Sequence, residues 1–128
     1  MILIDSSIWI EHLRSANAGL ALALAEGQVV QHPFVTAELA LGSLAARDRF
    51  VAMLDLLPAA PTVDQPALLA FISEHRLFGT GLGMVDAHLL ASAAARGSAR
   101  LWTGDRRLAG QAERLGFLYQ SVAGATDS

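Results

Sequence analysis

The sequence predicts an α/β fold: a small, mostly parallel sheet flanked by helices in a three-layer sandwich. Three observations carry this. Short, continuously apolar runs recur along the chain, and such runs read as strands buried on both faces, as in parallel sheets. Helix-length segments with start and stop residues separate them, which is the alternation of βαβ units. The chain has 128 residues, 53% hydrophobic and 16% charged, so one core and one domain are expected.

The elements follow in order. Residues 2–4 are the first apolar run, ending in Asp5. Ser6 and Ser7 then offer caps to a helix carrying Ile8, Trp9, Ile10 and Leu13. Residues 17–26, rich in Ala and Leu, form a second helix closed by Gly27. Val29 and Val30 centre a short strand over 28–31. Pro33 opens a third helix, expected to reach residue 44, and residues 48–57 make a fourth. Pro58 and Pro61 bracket an extended piece ending at Val63, and Asp64 caps a fifth helix to residue 77. A glycine-rich loop, 78–83, leads into a sixth helix from Met84, stopped by Gly97. A strand at 100–103, a helix containing 108–115 and stopped by Gly116, and a last strand at 117–119 complete the order. Residues 1–122 are expected to form the single domain, and 123–128 a disordered tail.

Composition excludes several function classes. Without cysteine there is no disulfide framework, thiol nucleophile, Cys-type zinc site or iron–sulfur cluster. All nine basic residues are arginine, so a Walker-A loop, a Schiff-base enzyme and a receiver domain lack their lysine. The longest Ala/Leu run, 20–25, is far short of the roughly 20 residues that span a bilayer. The first residues lack the basic start of a signal peptide, and a cytoplasmic location without membrane contact is expected. Net charge is −3, but if four acids are gathered in one site, eight remain against nine arginines, and the rest of the surface is near neutral or slightly basic.

Four acids stand where structure alone has little use for them. Asp5 follows a buried strand directly, where a carboxylate is costly unless something pairs with it; capping the next helix is the plainer role. Glu38 lies mid-helix with Phe34, Val35, Leu41 and Gly42 as same-face neighbours, which reads as an apolar stripe. A buried Arg–Glu pair is the alternative there. Asp86 falls in the first turn of the sixth helix, where the dipole favours an anion in any case. Asp105 follows the strand at 100–103 and could cap the next helix. Both Asp5 and Asp105 sit just past strand ends, where ligands of open α/β sheets gather. One shared cause, an acid-lined pocket for a hard divalent cation, is simpler than four separate ones, and oxygen ligands without cysteine select Mg²⁺ or Mn²⁺. His12, His32, His75 and His88 are scattered, and His88, two residues from Asp86, points away from it on a helix. Gly79, Gly81 and Gly83 do not have G-x-G-x-x-G spacing and give the chain room to turn before Asp86. Trp9 and Trp102 read as core or interface residues.

With Met-Ile-Leu-Ile-Asp-Ser-Ser-Ile-Trp-Ile, Glu38, Gly-Leu-Gly-Met-Val-Asp-Ala-His-Leu-Leu-Ala-Ser-Ala and Leu-Trp-Thr-Gly-Asp-Arg-Arg-Leu in view, residues 1–120 resemble the PIN-domain ribonucleases. Within them the chain is similar to VapC, the toxins of bacterial type II toxin–antitoxin pairs. The resemblance implies a small parallel sheet with helices on both sides and an acidic site of Asp5, Glu38, Asp86 and Asp105 that holds Mg²⁺ or Mn²⁺ and cleaves RNA. It places Ser6 as the hydroxyl beside the first acid and Thr103 as the polar residue before the last. It also implies a homodimer and a VapB-like antitoxin docked over the first helices, where Ile8, Trp9, Leu13, Leu20, Leu22 and Leu24 are expected to leave apolar surface open. RNA approaching an acidic pocket needs flanking cations, and Arg14, Arg47, Arg49, Arg76, Arg106 and Arg107 are the candidates. Two competing readings are a small Mg²⁺ phosphohydrolase, which wants a second Asp where Ser7 stands and a lysine, and a non-catalytic module whose acidic pocket accepts a partner's arginine.

Overall fold

A computed structural model describes residues 1–97 and 99–121. The expected tail, 123–128, lies outside the described residues. Three parallel strands, β1 (Ile2–Ile4), β2 (Val29–Val30) and β3 (Arg100–Trp102), form a sheet in the order β2-β1-β3. Around it run helices α1 (Ser6–Arg14), α2 (Ala18–Ala25), α3 (Pro33–Ala40), α4 (Arg47–Leu56), α5 (Gln65–Glu74), α6 (Met84–Arg96) and α7 (Arg106–Leu115). Every residue of β1 is buried, so both faces of the central strand are covered, as its unbroken apolar run requires. Leu3, Ile4, Trp9, Leu20, Val30, Leu54, Leu89, Leu90, Leu101 and Leu108 are sealed from solvent in one core. Each such side chain contributes roughly 1.5–3 kcal/mol by burial.

Three elements differ from expectation by more than a residue at an end. Helix α3 stops at Ala40 rather than residue 44: Leu41 is the C-cap, and Gly42 and Ser43 follow. Helix α5 stops at Glu74, three residues early, because Arg76 turns left-handed with φ 53°. The last strand shrinks to one bridge, Leu118 beside Leu101, held by the Leu101 amide on the Phe117 carbonyl and the Tyr119 amide on the Leu101 carbonyl. The extended piece after Pro58 makes a matching bridge at the other edge, Ala59 beside Gln31.

The topology places a crevice. From β1 the chain crosses to β2; from β3 it leaves on the opposite side, through α7 to Leu118. The strand order therefore reverses between β1 and β3, and in open α/β sheets the ligand crevice lies at such a switch point, outside the carboxyl ends of the strands. Asp5 follows one of these ends and Asp105 the other.

The expected apolar opening on the first helices is partly corrected. Ile8, Trp9 and Leu20 are core residues and Leu24 is half-buried; only Leu13 and Leu22 of that set are exposed. The widest exposure lies elsewhere, at Leu41 (88%), Leu56 (86%), Phe78 (67%) and Met84 (66%). Among the described residues no helix is long and apolar enough to cross a membrane.

Candidate active site

Asp5 is 6% exposed and caps α1. Its Oδ1 accepts the Ser6 amide at 2.7 Å and, weakly, the Ser6 hydroxyl at 3.4 Å. Its Oδ2 accepts the Thr103 hydroxyl at 2.6 Å and the Ser7 hydroxyl at 3.1 Å. The Asp5 amide bonds the Trp102 carbonyl, which continues the β1–β3 pairing one residue past the strands. A buried carboxylate is tolerable with this many donors.

The hydroxyls also bind the second strand end. Thr103 Oγ1 accepts the Asp105 amide at 3.0 Å, and Ser7 Oγ accepts the Gly104 amide at 3.0 Å. Asp105 is exposed and caps α7, its Oδ1 accepting the Leu108 amide at 3.0 Å. Capping and a shared acidic edge are therefore both true of Asp5 and Asp105. Ser7 is the residue that sequence reading passed over. Ser6, adjacent to Asp5, holds it mainly through its amide, whereas Ser7 joins the two loops; the doubled serine was the signal.

Glu38 and Asp86 approach from the helices. Asp86 is half-buried at the third position of α6, and its carboxylate accepts the backbone N–H of Gly83, the N-cap. Burial raises its carboxyl above the usual range; the charge of Asp5 raises it further, the Gly83 bond opposes this, and Asp105 adds to the rise. Glu38 corrects the sequence reading. The core face of α3 is Val35, Thr36 and Leu39, while Glu38 shares an exposed face with Phe34 and Leu41. A helix apolar all round does not reveal its inward side. Partial desolvation raises the Glu38 carboxyl, then the charges of Asp5 and Asp86. No buried Arg–Glu pair exists among the described residues, whose one ion pair is Arg47 with Asp48.

The four acids thus feel one another's charge around the β1–β3 crevice. They do not converge on a point: among the described residues no three His, Asp or Glu side chains form a ready-made metal cluster. The donor set is carboxylate and hydroxyl oxygen, which suits a hard divalent cation, and mutual repulsion of unneutralised acids is what such a cation relieves. The histidines stay out. His88 and His32 are buried; His32 accepts the Phe34 amide on Nδ1, so its Nε2 carries the hydrogen and donates to Ser92 Oγ at 3.0 Å.

The six candidate arginines are all exposed, and they differ in what holds them. Arg47 is committed to Asp48 and the Ala40 carbonyl. Arg14 ends α1, roughly 12 Å along the helix from Ser6. Arg49 lies in α4 and Arg76 beyond α5. Arg106 and Arg107 open α7 directly after Asp105.

Against known proteins, residues 2–114 match the family model of the PIN domain. The chain is a PIN domain. It is 49% identical over 108 residues to Ribonuclease VapC32 of two Mycobacterium tuberculosis strains, CDC 1551 / Oshkosh and ATCC 25618 / H37Rv. In both cases the match covers 84% of this chain and 87% of the relative. The small parallel sheet and its helices agree with that family, and the PIN domain here spans nearly the whole length of these relatives.

Proposed function

We propose that this PIN domain is the endoribonuclease toxin of a bacterial toxin–antitoxin pair, hydrolysing RNA phosphodiester bonds at a site of Asp5, Glu38, Asp86 and Asp105 that holds Mg²⁺ or Mn²⁺. The observation that carries this reading is the coupling of four acids around one crevice with no arginine paired to any of them among the described residues. A bound divalent cation supplies Lewis-acid activation of water and neutralises charge on the phosphate. The chain's own residues do the rest. Ser6, Ser7 and Thr103 fix the Asp5 carboxylate, so that acid is oriented before any ligand arrives. The Gly83 amide orients Asp86, and Glu38 at the open rim closes the set.

The partners in this reading are RNA, a VapB-like antitoxin and a second copy of the chain, in the cytoplasm. Exposed Leu41, Phe78 and Met84 support association, since apolar surface of this kind marks partner contacts. The test is an RNA cleavage assay with Mg²⁺ or Mn²⁺ titrated in and then removed with EDTA. Cleavage that rises with metal and stops on chelation is expected. RNA left intact at saturating metal, with the acids instead taking up an arginine peptide, would establish the binding module. Sedimentation at micromolar concentration tests the dimer, which a monomer alone would exclude.

A further inference from the structure

The loop at 78–83 contains a close approach that its role as a turn does not require. Gly81 has φ +83°, and a Cβ built there would lie 3.0 Å from Nη1 of Arg107, 3.3 Å from its Cζ and 3.5 Å from its Cδ. The arginine therefore rests along Gly81 with its guanidinium against the bare Cα. Gly79, Gly83 and Gly110 have no such neighbour within 4 Å. The contact joins the two segments that lead into acids of the candidate site: Gly81 precedes Asp86 by five residues, and Arg107 follows Asp105 by two.

Arg107 makes no hydrogen bond or ion pair among the described residues, although acids stand on both segments. Arg47, Arg100 and Arg114 are committed to protein acceptors, whereas Arg14, Arg49, Arg76 and Arg106 are as free as Arg107 among the described residues; Arg107 differs in lying along Gly81 between the segments that carry Asp86 and Asp105. All the N–H donors of Arg107 are therefore open to an anion beside the two acid-bearing segments. Planar N–H pairs suit two oxygens of one phosphate.

We propose that Arg107, lying along Gly81, is the phosphate clamp that holds single-stranded RNA beside the acidic site. This rests on the ribonuclease reading and names the arginine that serves it. The cation offsets the repulsion between RNA and the acids without neutralising any of them. It binds a phosphate other than the one being cut, so its part is substrate binding.

The test measures binding of a dye-labelled single-stranded RNA to the full chain in EDTA by fluorescence anisotropy, over about 50 to 200 mM salt. Arg107→Gln is expected to weaken binding about tenfold. It should also lower the slope of log affinity against log salt by about 0.7, one single-strand phosphate contact. Arg107→Lys should restore the slope but not the full affinity, since it keeps charge and loses the fork. Mn²⁺ uptake, read by electron paramagnetic resonance, should persist throughout. Parent-like affinity and slope in Arg107→Gln would overturn the proposal. A chain that binds RNA in this way but takes up no Mn²⁺ refutes the metal site and leaves the clamp standing.

Discussion

On the strand side of the crevice, the Asp5 carboxylate accepts hydrogen bonds from Ser6, Ser7 and Thr103, and the same hydroxyls take up the amides of Gly104 and Asp105. On the helix side, Glu38 has no hydrogen bond or ion pair among the described residues, and Asp86 has the Gly83 amide. The first half is fixed by directional bonds over a buried strand pair. The second is placed by the packing of α3 and α6 and feels the first through charge alone. A site built this way has one rigid wall and one adjustable wall. In the proposed site a metal ion would take its geometry from the first, and its affinity would be tuned at the second.

The largest expected effect tests the rigid wall. Asp5→Asn retains a capping oxygen and the shape of the side chain while removing the charge. RNA cleavage should fall on the order of 10³-fold, with the circular dichroism spectrum unchanged. Parent-rate cleavage would break the comparison outright.

A smaller effect tests what holds the helix wall. His32 caps α3 and is fully buried; burial, and then the nearby His88, lower its pKa from 6.5 to about 4. The unfolded chain then binds the proton between these values and the folded chain does not, so this stabilisation is complete above pH 6.5 and is lost as pH falls towards 4. The loss should approach about 3 kcal/mol. Denaturant melts across this window should show it, and His32→Asn, which keeps an acceptor for the Phe34 amide, should remove this part of the pH dependence.

Two stability measurements sharpen the contrast further. Asp5→Ala removes the α1 cap and the acceptor of two hydroxyls and should cost about 2 kcal/mol in metal-free buffer. Glu38→Gln should change stability by less than about 0.5 kcal/mol in the same buffer, because no ion pair is stranded. Calorimetric titration with Mn²⁺ should nevertheless show weaker binding in Glu38→Gln. A large stability loss there would reveal a structural role that the exposed position of Glu38 does not predict.

How far the sequence reached follows the same division. The strand side was legible because an acid after an apolar run marks a sheet's carboxyl edge, and Asp5 and Asp105 meet there. The helix side was half legible. Periodicity grouped Glu38 with Phe34 and Leu41, but α3 is apolar on every side, so it did not say which face turns inward. Helix ends were least legible where no proline marks them: α3 stops before Gly42, and α5 ends near the left-handed Arg76. The hydroxyl bridge through Ser7 joins residues 97 apart in the chain, beyond the reach of any local pattern.

The two single bridges at the margins of the sheet have a consequence for how this chain behaves in a crowded solution. A chain 53% hydrophobic with an open three-stranded sheet is at risk of joining its neighbours margin to margin. Ala59 lies against Gln31, next to β2, and Leu118 lies against β3, so each outer strand meets its own chain at one point. The strands are also too short to offer a long template. Each margin of the sheet is thus closed at a single point by a residue outside any regular element, and short strands with partly covered margins are poor templates for a neighbour.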